Sequence, residues 1–444
     1  MTATGEPGAM TEAAAQLVPL RRNRGFRMLW VGQLLSDTGS YAGALAYPLL
    51  ILALTHSPAI AGVTATATSV VRFVIALPGG VVADRLDRRV LMIVCDISRA
   101  AVLGALGVLV LLGLVTWPVV LAVAVIDGAG SVLFDPAATA ALPAIVADEQ
   151  LEPAWAATEG RNYAASLAGP ALGGVLFGLG RAVPFVGDAI SYLVSAGMVS
   201  RIRGQFRAEQ ATQRTSLWRE AVAGISLVRR DALLRAVIVQ APLINFAFTG
   251  AIFTITLALR KHGTAAGVIG LAQAGIMAGG LIGAVLAPKL QGKLSLSQLT
   301  VMLTVVGTAF FAMAAVLLPS PLVAIPIAMT LLAAPVANAA LFAAMLRATP
   351  EEMRGRVTNT VVTAATGLAA LAPLVAGLLV QHLSGRVAML GFAAALGVAS
   401  VLSVVLPGLR VAESAAAASA THAAVGATPA AADATQAAAP MPEA

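Results

Sequence analysis

Long apolar runs recur along most of this sequence, and no other feature limits its fold as strongly. A run of about 18 residues is enough for a helix to cross the hydrocarbon core of a bilayer, and most of these runs reach that length. Only 11% of the 444 residues are charged, whereas a soluble protein carries about 25%. The sequence therefore indicates an integral membrane protein and excludes a soluble enzyme, a nucleic-acid-binding protein and a secreted disulfide-rich domain.

Polar breaks divide the apolar sequence into twelve predicted helices. Backbone groups inside a bilayer must form their hydrogen bonds within the chain, and the alternating strands of a membrane barrel are not visible in the sequence. We therefore expect an all-α polytopic membrane protein with twelve transmembrane helices in two halves of six. The predicted helices cover about residues 27–54, 58–83, 90–114, 117–140, 156–179, 182–200, 233–258, 265–288, 298–318, 321–346, 359–381 and 386–407.

The polar segments complete the predicted organisation. It consists of a cytoplasmic N-terminal segment (1–26), a six-helix bundle (27–200), a cytoplasmic linker (201–232), a second six-helix bundle (233–410) and a disordered cytoplasmic tail (411–444). With the N-terminus in the cytoplasm, 22 of the 28 Lys and Arg residues fall on cytoplasmic segments and four fall outside, at positions 181, 260, 261 and 386. This bias predicts that both termini are cytoplasmic.

Glycines and prolines recur in the two halves with one offset of 203 residues. The pairs are Gly80 and Gly283, Gly104 and Gly307, Pro118 and Pro321, Pro170 and Pro373, and Gly174 and Gly377. The proline matches, in register with the glycines, indicate two parallel six-helix repeats. Transporters built on this plan bind their substrate between the repeats, near the middle of the membrane.

Two segments resemble signatures of the major facilitator superfamily. The segment GVVADRLDRR (residues 80–89) is similar to its loop signature G-x-L-a-D-r-x-G-r-R, with Val82 and Asp87 replacing the leucine and the second glycine. The segment GPALGG (169–174) resembles the end of its antiporter signature. The resemblance implies the fold of this superfamily and transport by alternating access.

Three further segments resemble one branch of the superfamily. FDP (134–136), FVGDAISY (185–192) and RGRV (354–357) are similar to the third drug:proton antiporter family, which includes macrolide efflux proteins and the enterobactin exporter. The resemblance covers about residues 20–410. It implies a monomeric exporter in the bacterial cytoplasmic membrane that uses the proton gradient as its energy source and no cofactor.

The loop signature implies a cytoplasmic gate. Its members would be Gly80, Asp84, Arg85, Arg88, Arg89, Asp96 and Arg99. The acids and arginines can form ion pairs when the cytoplasmic side is closed and lose them on opening. Asp96 and Arg99 are three residues apart and can pair on one helix face. The alternatives left open are a membrane anchor with incidental carboxylates and a purely structural Asp96–Arg99 pair.

The antiporter segment implies close helix packing. Its residues Gly169, Pro170, Gly173 and Gly174 let a neighbouring helix approach and bend their own helix. Packing without any role in exchange is an equally open interpretation.

Ionisable side chains well inside the predicted helices lie in the first half of the chain. A charge in hydrocarbon is costly, so we expect these side chains to have a function. Asp37 and Asp127 are the predicted proton-coupling residues, because the first and fourth helices line the central cavity in this superfamily. The predicted substrate-cavity residues are Arg72, Asp135 and Asp188, with the neutral Gln240, Asn245, Gln273 and Asn338 of the second half. In the structural alternatives Arg72 neutralises Asp37 or Asp127, Asp135 caps a helix break at Pro136, and Asp188 holds its helix against a neighbour.

The predicted function is proton-coupled efflux of an amphipathic organic compound, a drug or a siderophore. The expected partners are this substrate, protons and membrane lipid, without nucleic acid. Cys95 is the single cysteine, and no Cys/His cluster has the spacing of metal ligands, so no metal site is expected. A nutrient importer or uniporter of the same fold remains an alternative, and so does a non-transporting scaffold or sensor.

Overall fold

A computed structural model describes residues 19–202, 226, 231–290 and 295–406, with the backbone alone for residues 77–85 and 352. The regular structure of these residues is helical. The helices are α1 (Arg24–Thr55), α2 (Pro58–Arg85), α3 (Arg88–Leu111), α4 (Trp117–Ala141), α5 (Leu151–Leu179), α6 (Val183–Ser200), α7 (Ala232–Lys261), α8 (Ala266–Leu290), α9 (Leu296–Leu317), α10 (Ala324–Ala348), α11 (Arg354–Gly367), α12 (Ala372–His382) and α13 (Gly385–Val405).

All twelve predicted helices have a counterpart in the structure. The predicted eleventh helix is divided into α11 and α12 by a 3-10 turn at Ala369–Leu371. Among the described residues, eleven helical stretches are long and apolar enough to cross a bilayer. The exception is α5, a 29-residue helix whose apolar run is interrupted by Arg161, Pro170 and several glycines. The predicted class, an all-α polytopic membrane protein, is confirmed.

The described residues form two compact units. The first contains residues 19–55, 67–202 and 265–274, and the second contains residues 56–66, 231–264 and 275–406. Among the described residues, the divisions fall at the connections before α2 and α8 and inside these two helices. The start of α2 therefore belongs to the second unit, and the start of α8 to the first. Residues 1–18, most of the linker 201–232 and the tail 411–444 lie outside the described residues.

Helices pack in the same order in the two units. In the first unit, α1 packs against α5 and α6, and α3 packs against α4 and α6. In the second unit, α7 packs against α12 and α13, and α9 packs against α10 and α13. The eleventh membrane helix consists of α11 and α12, and α13 is the twelfth membrane helix. Adding six to each membrane helix of the first packing scheme therefore gives the second scheme. The two parallel repeats predicted from the 203-residue offset are therefore confirmed in the packing.

A close backbone contact occurs at equivalent places in the two units. In the second unit, a Cβ atom on Gly62 of α2 would overlap the carbonyl oxygen of Pro373, and Gly377 also lies against the α2 backbone. In the first unit, the carbonyl oxygen of Pro170 lies in the same way against the backbone of α8, and so does the Cα atom of Gly174. Pro170 and Pro373 are 203 residues apart, as are Gly174 and Gly377. The repeated sequence positions thus make the same kind of contact.

Candidate functional site

Arg99 of α3 is the centre of a polar cluster buried in the first unit. Its Nε donates to Oδ1 of Asp127 on α4 at 2.8 Å, and the two side chains are only 5% and 14% exposed. Its Nη2 donates to Oγ of Ser40 on α1 at 3.3 Å, and its Cζ lies 4.0 Å from the ring centre of Tyr192 on α6. Gly130 leaves room for this side chain, because a Cβ there would lie 2.8 Å from Arg99 Cδ. Three neighbouring helices therefore hold the guanidinium.

Hydroxyl groups extend this cluster. The Ser40 hydroxyl lies 2.9 Å from the carbonyl oxygen of Ser36, to which it donates. The Tyr192 hydroxyl, 2.7 Å from Ser40 Oγ, is then the donor of that second hydrogen bond. The Tyr47 hydroxyl lies 3.5 Å from Oδ2 of Asp127 and donates to it. Each Asp127 oxygen thus has a donor, Arg99 for Oδ1 and Tyr47 for Oδ2.

A second ion pair joins α1 and α5. Nε of Arg161 lies 3.1 Å from Oδ2 of Asp37. The same guanidinium donates to Oε1 of Gln33, and at 3.1 Å to Oδ1 of Asn162. The Arg161 side chain is 7% exposed and that of Asp37 is 28% exposed. Asp37, one of the two predicted proton-coupling residues, therefore already has a cation.

Sequence reasoning missed Arg161. The predicted fifth helix begins near residue 156, which places Arg161 in the second turn from its cytoplasmic end, and the charge count assigns it to the cytoplasmic side. In the structure α5 begins at Leu151, which places Arg161 ten residues inside the helix. A count of charges is the signal that identifies it. The predicted helices contain four aspartates as intramembrane candidates but only two arginines, Arg72 and Arg99, so a further cation is expected.

Arg72 and Asp135 are both exposed. Arg72 lies against α4, since a Cβ on Gly128 would be 3.2 Å from Arg72 Cγ. The cations that interact electrostatically with Asp135 are Arg72, Arg99 and Arg161. Two structural alternatives are wrong. Asp37 and Asp127 pair with Arg161 and Arg99 rather than with Arg72, and α4 continues through Pro136 to Ala141, so Asp135 caps no helix break there.

Asp188 of α6 is 2% exposed and faces α1. A Cβ on Gly39 would overlap its carboxylate, and one on Gly43 would lie 3.4 Å from Oδ2. The Ser191 hydroxyl lies 3.1 Å from Oδ1 and 2.7 Å from the backbone oxygen of Asp188. No lysine, arginine or histidine in the described part of the chain comes within ion-pair distance of this carboxylate. Asp188 is therefore a buried acid without a cation of its own.

Asp96 of α3 is the second such acid. It is 0% exposed, and neither carboxylate oxygen has a hydrogen-bond partner among the described residues. The predicted Asp96–Arg99 pair is wrong, because Arg99 turns instead towards Asp127 on α4. The polar group of α6 that interacts with Asp96 is the hydroxyl of Ser195, which is likewise buried and has no partner at hydrogen-bond geometry among the described residues.

The neutral candidates of the second half are divided between the two units. Gln240 of α7 is 3% exposed, and its Nε2 has no hydrogen-bond partner among the described residues. Asn245 is exposed and donates to the carbonyl of Ala241 at 2.9 Å, and Asn338 of α10 is exposed. Gln273 of α8 belongs to the first unit. In the described helices of the second half, ionisable side chains occur only in the first and last turns.

Arg88 and Arg89 of the predicted gate bind the ends of two helices. Nη1 of Arg88 donates to the carbonyl of Ala140 in α4 at 2.8 Å, and Nη2 of Arg89 donates to that of Ser200 in α6. Carbonyls in the last turn of a helix lack an intrahelical donor and attract cations. These two arginines thus tie α3 to α4 and α6. For Gly80, Asp84 and Arg85 the structure describes the backbone alone, so the ion pairs of the gate stay a prediction.

Asp87, which replaces the glycine of the loop signature, has a local function. It is the N-cap of α3 and accepts hydrogen bonds from the backbone N–H groups of Arg89 at 2.9 Å and Val90 at 3.2 Å. A carboxylate at a helix N-terminus also interacts favourably with the helix dipole.

Removal of this cap should destabilise the protein measurably. We expect Asp87→Ala to lower the free energy of unfolding by about 1 kcal/mol, because two N–H groups lose their acceptor. Thermal unfolding of the purified protein in detergent would measure the change. Asp87→Asn keeps an acceptor oxygen and should lose less, so an equal loss in both variants would contradict the capping explanation.

The antiporter segment makes contacts on two sides of α5. A Cβ on Gly169 would overlap Cβ of Tyr41, and one on Gly173 would lie 2.5 Å from the carbonyl oxygen of Ala42, so both glycines adjoin α1. Pro170 and Gly174 adjoin α8. The predicted close approach of neighbouring helices is confirmed, with two helices rather than one.

Comparison with known proteins identifies the family. The family model described as transmembrane secretion effector, of the major facilitator superfamily, matches residues 14–437. The chain belongs to this family. It is accordingly a multi-pass membrane protein that transports small molecules, and the predicted superfamily is confirmed.

Individual relatives agree with this assignment. The enterobactin exporter EntS of Citrobacter koseri is 32% identical over 164 residues, and that of Shigella boydii is 30% identical over the same length. The match covers 36% of this chain and 39% of each relative, so the chain matches about two-fifths of their length.

Solved structures of low sequence identity share the fold. A bacterial homologue of the human lysosomal transporter Spinster has a TM-score of 0.69 at 14% identity, with 88% of this chain and 97% of that chain covered. A bacterial homologue of the iron transporter ferroportin has a TM-score of 0.67 at 17% identity, with 86% and 98% covered. At these identities, the likeness establishes the fold alone.

Proposed function

We propose that this transporter exports an amphipathic organic compound, a drug or a siderophore, in exchange for protons. The observation that carries the direction of transport is the family match over residues 14–437, whose description is a secretion effector. The partial identity with two enterobactin exporters supports the same direction and an organic substrate of that kind. The proposal includes a bacterial cytoplasmic membrane, cytoplasmic termini and a monomer.

The distribution of charge supports proton coupling. The first unit contains two ion pairs inside its bundle, Arg99–Asp127 and Arg161–Asp37. The described helices of the second half carry ionisable groups only near their ends. A charge inside a membrane helix is rare and is retained where it has a function such as a proton or substrate pathway. We therefore propose that the first half carries the protonation steps and that the second half offers a mostly neutral surface to the substrate.

Asp37 and Asp127 remain the proposed coupling residues. Each forms an ion pair with an arginine in the present arrangement. A carboxylate that exchanges this arginine for a proton alternates between two states in which its charge is neutralised. Such an exchange couples proton binding to a change in helix contacts, which is the requirement for an antiporter.

Transport by the purified protein in liposomes would test the proposal. The liposomes contain a pH-sensitive dye and carry an imposed proton gradient, and the added compounds are macrolides, cationic drugs and siderophores. We expect one class to trigger proton movement in the wild type, and we expect that movement to disappear in Asp37→Asn and Asp127→Asn. Asp87→Asn, a change in the loop before α3, is the control and should retain the movement.

The alternatives give different results in this assay. Substrate flux without proton movement would indicate a uniporter and assign the buried aspartates to structure or substrate binding. Proton-driven accumulation of the substrate on the cytoplasmic side of the membrane would indicate an importer. Neither flux nor proton movement with any compound, from protein of normal stability, would favour the scaffold or sensor.

A further inference from the structure

The ionisable groups in the interior of the first unit do not balance. Around Arg99 there are three carboxylates, those of Asp96, Asp127 and Asp188, and Arg99 pairs with only one of them. The other group is balanced, because Asp37 and Asp135 have Arg161 and Arg72 as cationic neighbours. If all three carboxylates near Arg99 were ionised, the interior would hold two negative charges without a cation.

Burial makes such uncompensated charges unfavourable. Asp96 is 0% exposed and Asp188 is 2% exposed. An ionised carboxylate in an apolar interior loses its hydration, and it avoids this loss by taking up a proton when no cation or set of donors replaces the water. Asp96 has no donor at hydrogen-bond geometry among the described residues, and Asp188 has the Ser191 hydroxyl as its one described donor.

The groups that interact with these two acids come from α1, α3, α4 and α6. Asp188 interacts electrostatically with Asp127 of α4 and with Arg99 and Asp96 of α3, and Tyr47 of α1 also faces it. Asp96 interacts with Arg99 on its own helix, with Asp37 of α1 and with Ser195 of α6. The single cation in both sets is Arg99, whose guanidinium is engaged by Asp127 at 2.8 Å.

From this arrangement we propose that Asp96 and Asp188 are protonated while Arg99 binds Asp127, and that they are proton-carrying residues of the transport cycle. The assignment adds two residues to the proposed proton exchange and rests on it. When Arg99 leaves Asp127 for Asp96 or Asp188, that acid gives up its proton and Asp127 takes one. The number of charges inside the unit is then unchanged, and one proton has moved between carboxylates.

Infrared difference spectroscopy of the purified wild type tests the protonation directly. A protonated carboxylic acid has a carbonyl stretching band that is separate from the carboxylate bands and shifts in heavy water. We expect this band at neutral pH, a smaller band in Asp96→Asn and in Asp188→Asn, and none from these sites in the double variant. Asp87→Asn is the matched control and should leave the band unchanged. An unchanged band in both single variants, or no band in the wild type, would overturn the assignment.

The liposome assay then separates this inference from the proposed function. If the wild type couples substrate to protons and both variants lose the proton movement but keep substrate exchange across the membrane, the inference holds. If the wild type and both variants all couple substrate transport to proton movement, the inference fails and the proposed function stands. If the wild type itself moves substrate without protons, the proposed coupling fails, whereas the infrared result still decides whether the two acids are protonated.

Two further arms keep the test decisive. Asp188 lies close to Gly39, so its variant could fold poorly; Asp96→Asn, at a site without that contact, then carries the measurement. Replacing external sodium by choline distinguishes a proton from a sodium ion. A sodium-dependent signal without the acid band would overturn the assignment.

Discussion

Replacing Arg99 with Met should reduce the free energy of unfolding by about 3–5 kcal/mol, because the change leaves the partner carboxylate of a buried ion pair without its cation. The guanidinium also stacks on Tyr192 at 4.0 Å and donates to Ser40, and both contacts would be lost. Arg99→Lys should recover only part of the stability, since an ammonium group cannot reproduce the planar fork. Thermal unfolding in detergent would compare the variants.

The compensating change makes this prediction specific to the pair. Removing both charges in Arg99→Met/Asp127→Leu should be less destabilising than Arg99→Met alone, because no buried carboxylate is left unpaired at that site. Arg181→Met is the control, an exposed arginine in the turn between α5 and α6, and should change stability by about 0.5 kcal/mol or less. A double variant that is as unstable as the single one would contradict the ion-pair explanation.

Adding one methyl group at Gly270 should have the second large effect. A Cβ there would overlap the carbonyl oxygen of Pro170, so Gly270→Ala must push α8 away from α5. Overpacking of this kind costs about 1–3 kcal/mol. Gly267→Ala is the matched control on the same helix, because its Cβ would meet only Val175 at an ordinary 3.9 Å.

The equivalent contact on α5 gives an independent comparison. Gly174→Ala should resemble Gly270→Ala, whereas Gly178→Ala, with nothing within 4 Å of its new Cβ, should resemble the wild type. Melting temperatures and transport rates of the four variants would be measured together. Equal values for the crowded and the open positions would show that α5 and α8 do not need this close approach.

The fold could be predicted from the sequence because the bilayer restricts it so strongly. Apolar runs of spanning length must form helices, and the 203-residue offset then predicts two similar bundles. Both expectations agree with the helix order and with the matching packing schemes of the two units. The break between α11 and α12 divides the single helix predicted there. Gly367 and Pro373 flank it, and Pro373 has no N–H to donate to the carbonyl of Ala369, so these two residues are the sequence signal for the break.

The candidate site was predicted only in part, for a different reason. Helical spacing identifies neighbours along one helix, and it favoured a pair between Asp96 and Arg99. The partner of Arg99 is instead on α4, where Asp127 accepts from its Nε at 2.8 Å, and Ser40 and Tyr192 from two further helices contact the same guanidinium. Such choices depend on how helices rotate against each other, which residue spacing does not determine.

Charges concentrated in one half also have a consequence for how the protein is made. A helix carrying an unpaired arginine or aspartate enters the membrane with a penalty of about 2.5–3.5 kcal/mol for each central charge. The partner of Arg99 is on α4, the next helix to be synthesised after α3. The partner of Asp37 is Arg161, which is synthesised 124 residues later. The first bundle must therefore assemble as a group before it is stable in lipid, whereas the apolar helices of the second can insert one at a time.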